Sequence, residues 1–253
     1  TGHMPFPDRP VLEKGPAYNE LLRPSSSARR PSDDWPMYRH DPSRSGATSS
    51  PIPDAVRQAW SASLGGRLTQ PVIADGRVLV ASTDAHTVYA LAANDGREIW
   101  RFTADGRIDS SPTVWSQTVI FGSADGWIYC VAAADGQWAW RFRAAPAERL
   151  VGVHGQLESI WPVHGAVLIQ NDTIYATAGR SSYLDGGIVL YRLDPATGQQ
   201  LSRTTLCHLN PDTGEQLVPE AKFNMEGTTS DILSGDGELV FLKYFSFDRA
   251  GVR

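Results

Sequence analysis

Ala93-Asn94-Asp95-Gly96-Arg97-Glu98-Ile99-Trp100 returns 40 residues later as Ala133-Ala134-Asp135-Gly136-Gln137-Trp138-Ala139-Trp140. The residues just upstream return with it, Val88-Tyr89-Ala90-Leu91 becoming Ile128-Tyr129-Cys130-Val131. A fixed spacing of this length marks one supersecondary unit used several times. Each unit is too small to bury its own apolar face and is stable only against a neighbour.

Working outward, a tight turn recurs as Asp75-Gly76-Arg77-Val78, Ser116-Gln117-Thr118-Val119, Asn171-Asp172-Thr173-Ile174 and Asp236-Gly237-Glu238-Leu239. Each copy supplies Asp, Asn, Gly or Ser where the backbone reverses. Each leads into a β-rich run, and a short apolar stretch such as Pro71-Val72-Ile73 precedes it. Alternation and β-branched residues predict strands. One unit reads as strand A near Pro71 to Ala74, B near Arg77 to Ser82, C near Thr87 to Ala92 and D near Glu98 to Thr103. A second unit covers residues 112–143 and a third covers 162–203, where Leu201 replaces the tryptophan. A fourth begins near Thr229 and carries strand B and little more by Arg253.

The predicted fold is all-β: a β-propeller of four-stranded blades, about three and a half of them. Trp60 precedes Trp100 by the same 40 residues and marks a solitary outer strand. At about 40 residues per blade, a closed ring of six to eight needs roughly 240–320 residues against about 200 here. The expectation is therefore a ring completed by further sequence or by another chain, since closure removes open sheet edges.

The repeat residues have packing roles. Gly96, Gly136 and Gly198 close a turn that calls for positive φ, which glycine adopts without steric cost. Trp60, Trp100 and Trp140 lie on the outermost strand, and each indole buries about 150–250 Å². Laid on the turn of the next blade, each would lock two neighbours together.

Residues 1–53 differ from residues 54–253: ten of the 17 prolines fall there, and Ser25-Ser26-Ser27 precedes Arg29-Arg30-Pro31. This reads as a leader or linker. Trp35 and Tyr38 within it are expected to anchor it on the propeller. The A–B turn spacing widens after the second unit, which places insertions at residues 144–159, 179–187 and 208–227, where function tends to sit.

Net charge is −5, from 23 basic and 28 acidic residues, which gives no electrostatic reason to expect nucleic acid. No apolar run is long enough for a membrane-spanning helix, and residues 1–30 hold no signal-peptide core. Cys130 stands where other copies carry alanine and reads as a small buried thiol. Cys207-His208 has no second ligand at zinc spacing. No nucleophile elbow, zinc helix or phosphate loop is present.

These motifs resemble the PQQ-type propeller repeat. Residues 93–100 and 133–140 match it, and Asp194-Pro195-Ala196-Thr197-Gly198-Gln199-Gln200-Leu201 matches except at the tryptophan. The stretch from Asp34-Trp35-Pro36-Met37-Tyr38 to Arg44-Ser45-Gly46 looks like the segment that introduces many such propellers. The resemblance implies one of two functions. Quinoprotein dehydrogenases of this type bind pyrroloquinoline quinone and calcium and oxidise alcohols or sugars. BamB-like relatives are non-catalytic extracytoplasmic scaffolds, and fold does not choose between the two.

The dehydrogenase reading expects a stacking tryptophan, for which Trp161 is the candidate, and a calcium set that the sequence does not identify. Asn224 and Glu226 lie near one another with Asp231 beyond, at a spacing that is not diagnostic, and no metal ligand is assigned. The adjacent cysteines it often brings are absent. The binding reading looks to the start of each strand A, where Gln70, Asp109, Ser110, Glu158, Trp161 and Thr229 would ring the channel mouth. It expects a protein partner or small ligand there or on the inserted loops, in a periplasmic or otherwise extracytoplasmic setting. No catalytic residue is assigned.

Overall fold

The computed structural model describes residues 12–22, 34–208, 213 and 229–253. Strand β1 (Leu12–Lys14) and a short helix, α1 (Tyr18–Leu21), come first. Blade one is β2 (Val72–Ala74), β3 (Arg77–Ser82), β4 (Thr87–Ala92) and β5 (Glu98–Thr103). Blade two is β6 (Thr113–Trp115), β7 (Thr118–Gly122), β8 (Trp127–Ala132) and β9 (Trp138–Arg143). A hairpin follows, β10 (Leu150–Val153) and β11 (Gln156–Ser159). Blade three is β12 (Leu168–Gln170), β13 (Thr173–Ala178), β14 (Ile188–Leu193) and β15 (Gln200–Leu206). The fourth sheet holds β16 (Ser234–Gly235), β17 (Val240–Leu242) and β18 (Phe245–Phe247).

Within each blade the repeat strands pair antiparallel in chain order. The A–B turns take positive φ at Asp75 and Gly76, Ser116, and Asn171 and Asp172, which suits the twist of a tight hairpin. The C–D pairing shifts register at one place in every full blade, at Ala90/Leu91, Cys130/Val131 and Arg192/Leu193. A bulge repeated there turns the next outer residue, tryptophan in the first two blades, toward its neighbour.

Strand alternation divides each blade between two cores. In β7, Val119 and Phe121 join the cluster shared with blade one, and Ile120 joins the cluster shared with blade three. In β13, Ile174 and Ala176 face blade two, and Tyr175 faces the fourth sheet. Three apolar clusters thus fill three blade–blade interfaces, as the period of two along each strand requires.

Residues 57–61, expected as an orphan outer strand, form no ladder with any described residue. Trp60 still takes the repeat position: its Nε1 donates to Ala93 O at 2.9 Å, beside Gly96. The leader also contributes β1, which pairs with β9 as a fifth strand of blade two. Its Glu13 binds Arg141 at 2.7 Å and its Leu12 reaches Gly198, so it covers an outer edge that would otherwise be open. No described helix is long and apolar enough to cross a membrane.

Candidate functional site

The inner strands converge, β12 lying beside both β6 and β16. At one end of them a backbone bond recurs: Thr83 N donates to Arg67 O (2.8 Å), Ala124 N to Arg107 O (2.8 Å) and Gly179 N to Pro162 O (3.1 Å). Arg67, Arg107 and Pro162 are therefore equivalent positions of three blades. Asp109 and His164 follow at matching offsets, and they meet: His164 Nδ1 donates to Asp109 Oδ2 at 2.7 Å.

Around that pair lies a buried charge network. The Glu158 side chain is 0% exposed and that of Arg107 is 5% exposed. Arg107 Nη2 is 2.6 Å from Glu158 Oε1 and 3.2 Å from Asp109 Oδ2. Arg180 Nη2 donates to Glu158 Oε2 at 2.8 Å and to Ser159 O at 3.1 Å. Arg67 stands 3.8 Å from Asp109. Burial alone would raise the Asp109 carboxyl, but the His164 hydrogen bond and the Arg107 charge outweigh it and hold it below the ordinary range.

The residues expected at the channel mouth are distributed unevenly. Asp109 lies in the network, and Ser110, next in sequence, is buried. Gln70 is exposed, its carbonyl accepting Ser111 Oγ at 2.7 Å. Thr229 is exposed, bridged to Ser181 in the loop between β13 and β14 and bonded to Lys243 Nζ at 2.6 Å. Glu158 does not begin an inner strand as expected; it is on β11 of the inserted hairpin, buried beneath it. The blade-three counterpart of Asp109 is His164, four residues ahead of β12 as Asp109 is four ahead of β6. Trp161 is 3% exposed within the core between blades two and three, and its Nε1 donates to Asp185 O at 2.7 Å. Asn224 and Glu226 lie outside the described residues.

Sequence reasoning missed Arg67, Arg107, Arg180 and His164. A signal for the first two was present: Gly66-Arg67-Leu68 returns as Gly106-Arg107-Ile108 at the same 40-residue spacing.

The leader runs along the inner strands. Trp35 pairs with Ile73, Pro36 O accepts Val114 N at 2.7 Å, and Pro42 O accepts Gly235 N at 2.8 Å. Arg44 Nε donates to Leu233 O at 2.9 Å and its Nη1 to Tyr38 O at 2.8 Å. Trp35 thus anchors the leader as expected, and residues 35–44 tie together the inner strands of blades one, two and four.

The inserted hairpin has two faces. Val151 and Glu158 pair on one, which turns to the network; Leu150, Gly152 and Leu157 share the other. On that face Leu150 is 62% and Leu157 66% exposed. Gln156 holds the hairpin to blade one through His86 Nε2 (2.8 Å) and Asp84 O (3.2 Å).

These residues do not fit quinone and calcium. Both oxygens of Glu158 face guanidiniums, Asp109 Oδ2 is shared by Arg107 and His164, and the Trp161 ring is packed within the core. Among the described residues no group of three or more His, Cys, Asp or Glu could hold a metal ion.

The family model PQQ_2, described as outer membrane protein assembly factor BamB, matches residues 53–218. No curated protein sequence matches the chain. Among solved structures, a quinohemoprotein alcohol dehydrogenase from Pseudomonas putida HK5 is similar at 20% identity and TM-score 0.58, over 84% of this chain and 31% of that one. A quinohemoprotein alcohol dehydrogenase from Comamonas testosteroni is similar at 17% identity and TM-score 0.58, over 78% of this chain and 31% of that one. A europium-containing methanol dehydrogenase is similar at 16% identity and TM-score 0.56, over 78% of this chain and 34% of that one. The chain thus spans about a third of the length of these solved relatives, and the likeness establishes the propeller fold alone.

Proposed function

The chain belongs to the PQQ_2 family, described as outer membrane protein assembly factor BamB, and from that premise we propose that it is a non-catalytic, extracytoplasmic propeller module that docks a protein partner. The observation that carries this reading is the β10–β11 hairpin. It stands outside the four-stranded plan, is pinned from beneath by Glu158, and presents Leu150 and Leu157 to solvent. Apolar side chains held on a rigid strand pair away from the core are the kind of surface partners bury. The extracytoplasmic setting rests on the family description, and completion of the ring by further sequence or another chain remains part of the proposal.

The test is the double substitution Leu150→Asp with Leu157→Asp. Both side chains are exposed, so thermal stability should stay within about 0.5 kcal/mol of the parent. Capture of the partner by in-cell crosslinking should fall by about tenfold or more, since two apolar anchors are lost. Unchanged capture would overturn the reading. The alternative, the propeller portion of a quinone-dependent dehydrogenase, predicts a saturable change in quinone absorbance when pyrroloquinoline quinone and calcium are added at micromolar levels. The scaffold reading predicts none.

A further inference from the structure

We infer that Arg107 and Arg180 form an oxyanion-binding site in which the chain's own Glu158 is an imperfect stand-in for a ligand carboxylate or phosphate. The inference is independent of partner docking by the outer face of the hairpin.

Both guanidiniums converge on one carboxylate, yet each spends only its Nη2 on it. Arg107 Nε and Nη1 and Arg180 Nε are buried with no acceptor. The 2.6 Å approach of Arg107 to Glu158 Oε1 is close but off-line, leaving that oxygen without an aligned hydrogen bond. Ser110 Oγ, beside Asp109 in sequence, is likewise buried and unpartnered. A buried donor without an acceptor carries its full desolvation cost.

Arg67 is 62% exposed and lies nearer Asp84 (3.5 Å) than Asp109 (3.8 Å), so the enclosed charges are Arg107 and Arg180 against Asp109 and Glu158, with Arg107 alone reaching both carboxylates. A guanidinium fork is built for two parallel bonds to a carboxylate or phosphate. Glu158 cannot supply them to both arginines, because its position is fixed by β11 and by the Ser159 N bond to Ala124 O (2.8 Å). A free oxyanion approaches without that tether and brings more acceptor oxygens than one carboxylate.

The test titrates the whole chain with inorganic phosphate and, separately, with acetate, against chloride at matched ionic strength. Arginine Nε–Hε NMR resonances and isothermal titration calorimetry are followed. Phosphate or acetate, but not chloride, should shift the Arg107 and Arg180 resonances saturably, the tighter of the two naming the ligand's head group. Glu158→Gln, which removes the competing charge, should tighten binding about tenfold or more, and Arg180→Gln should abolish it. If Arg180→Gln does not fold, Arg180→Lys keeps the charge, loses the fork, and should bind at least about fivefold more weakly. Leu157→Asp should leave the titration unchanged, which separates this site from partner docking. A response equal to chloride's, or Glu158→Gln binding no tighter than the parent, overturns the inference.

Discussion

Trp100 Nε1 donates to Ala133 O at 2.9 Å while the Trp100 indole lies against Gly136 of the same turn, one blade further on. Trp60 repeats the arrangement on Ala93 and Gly96 at the same 2.9 Å. Trp140 places its ring on Gly198, but its Nε1 is buried without an acceptor. The outer strand of one blade is thereby clamped to the turn of the next by apolar contact and, in two cases of three, by a directed hydrogen bond.

Gly136 has φ +73°, and an added Cβ would lie 2.7 Å from Trp100 Cε3. Gly136→Ala should therefore combine left-handed strain with overpacking and cost about 2–4 kcal/mol. Gly76 has φ +70° with nothing within 4 Å of a Cβ, so Gly76→Ala should cost only about 1–2 kcal/mol. Urea unfolding of the two variants checks this, and equal costs would remove the clamp from the account.

The indole hydrogen bond can be isolated in the same way. Trp100→Phe deletes a donor and strands the Ala133 carbonyl, whereas Trp140→Phe deletes a donor that has no partner. Trp100→Phe should be the more damaging by about 1 kcal/mol. Chemical denaturation of both variants reads the difference.

Two half-buried aspartates should give opposite pH responses. Asp109 is depressed in the folded chain: burial opposes ionisation, but His164 and Arg107 outweigh it. Its contribution is present above the unfolded value, about 3.9, and is lost as pH falls toward the lower folded value. Asp125 is raised, chiefly by burial, against hydrogen bonds from Tyr129 and Trp127. Its ionisation penalises the fold increasingly as pH rises above about 4. The cost of Asp109→Asn should grow as pH rises toward 4, and the cost of Asp125→Asn should shrink as pH rises beyond it. Unfolding at stepped pH reports both signs.

Arg44 ties the leader to the fourth sheet, so Arg44→Met should cost about 1.5–3 kcal/mol, the range for bonds from a charged donor. Amide exchange at Gly235, whose N–H is held by Pro42 O, should accelerate in the variant. Unchanged protection there would detach the leader from the inner strands.

The strand plan of the first two blades was legible because a strict 40-residue period ties Trp60, Trp100 and Trp140 to one turn chemistry. The site was less legible. The insertion before β12 breaks the period, so counting back from the turn assigned Glu158 to an inner strand when His164 holds that place. Contacts such as Arg180 with Glu158 join a B–C loop to an inserted hairpin, which no local pattern encodes. Strand β1 is only three residues long and acquires its conformation from the edge of β9.

The central claim is that function is concentrated where the chain departs from its repeat, above all on the β10–β11 hairpin. A photoreactive residue placed at position 157, on the exposed hairpin face, tests it directly against the same residue at position 99, on the outer strand of blade one. The account predicts a discrete protein adduct from position 157 and none from 99. Equal labelling from both positions, or an adduct from 99 alone, would contradict it.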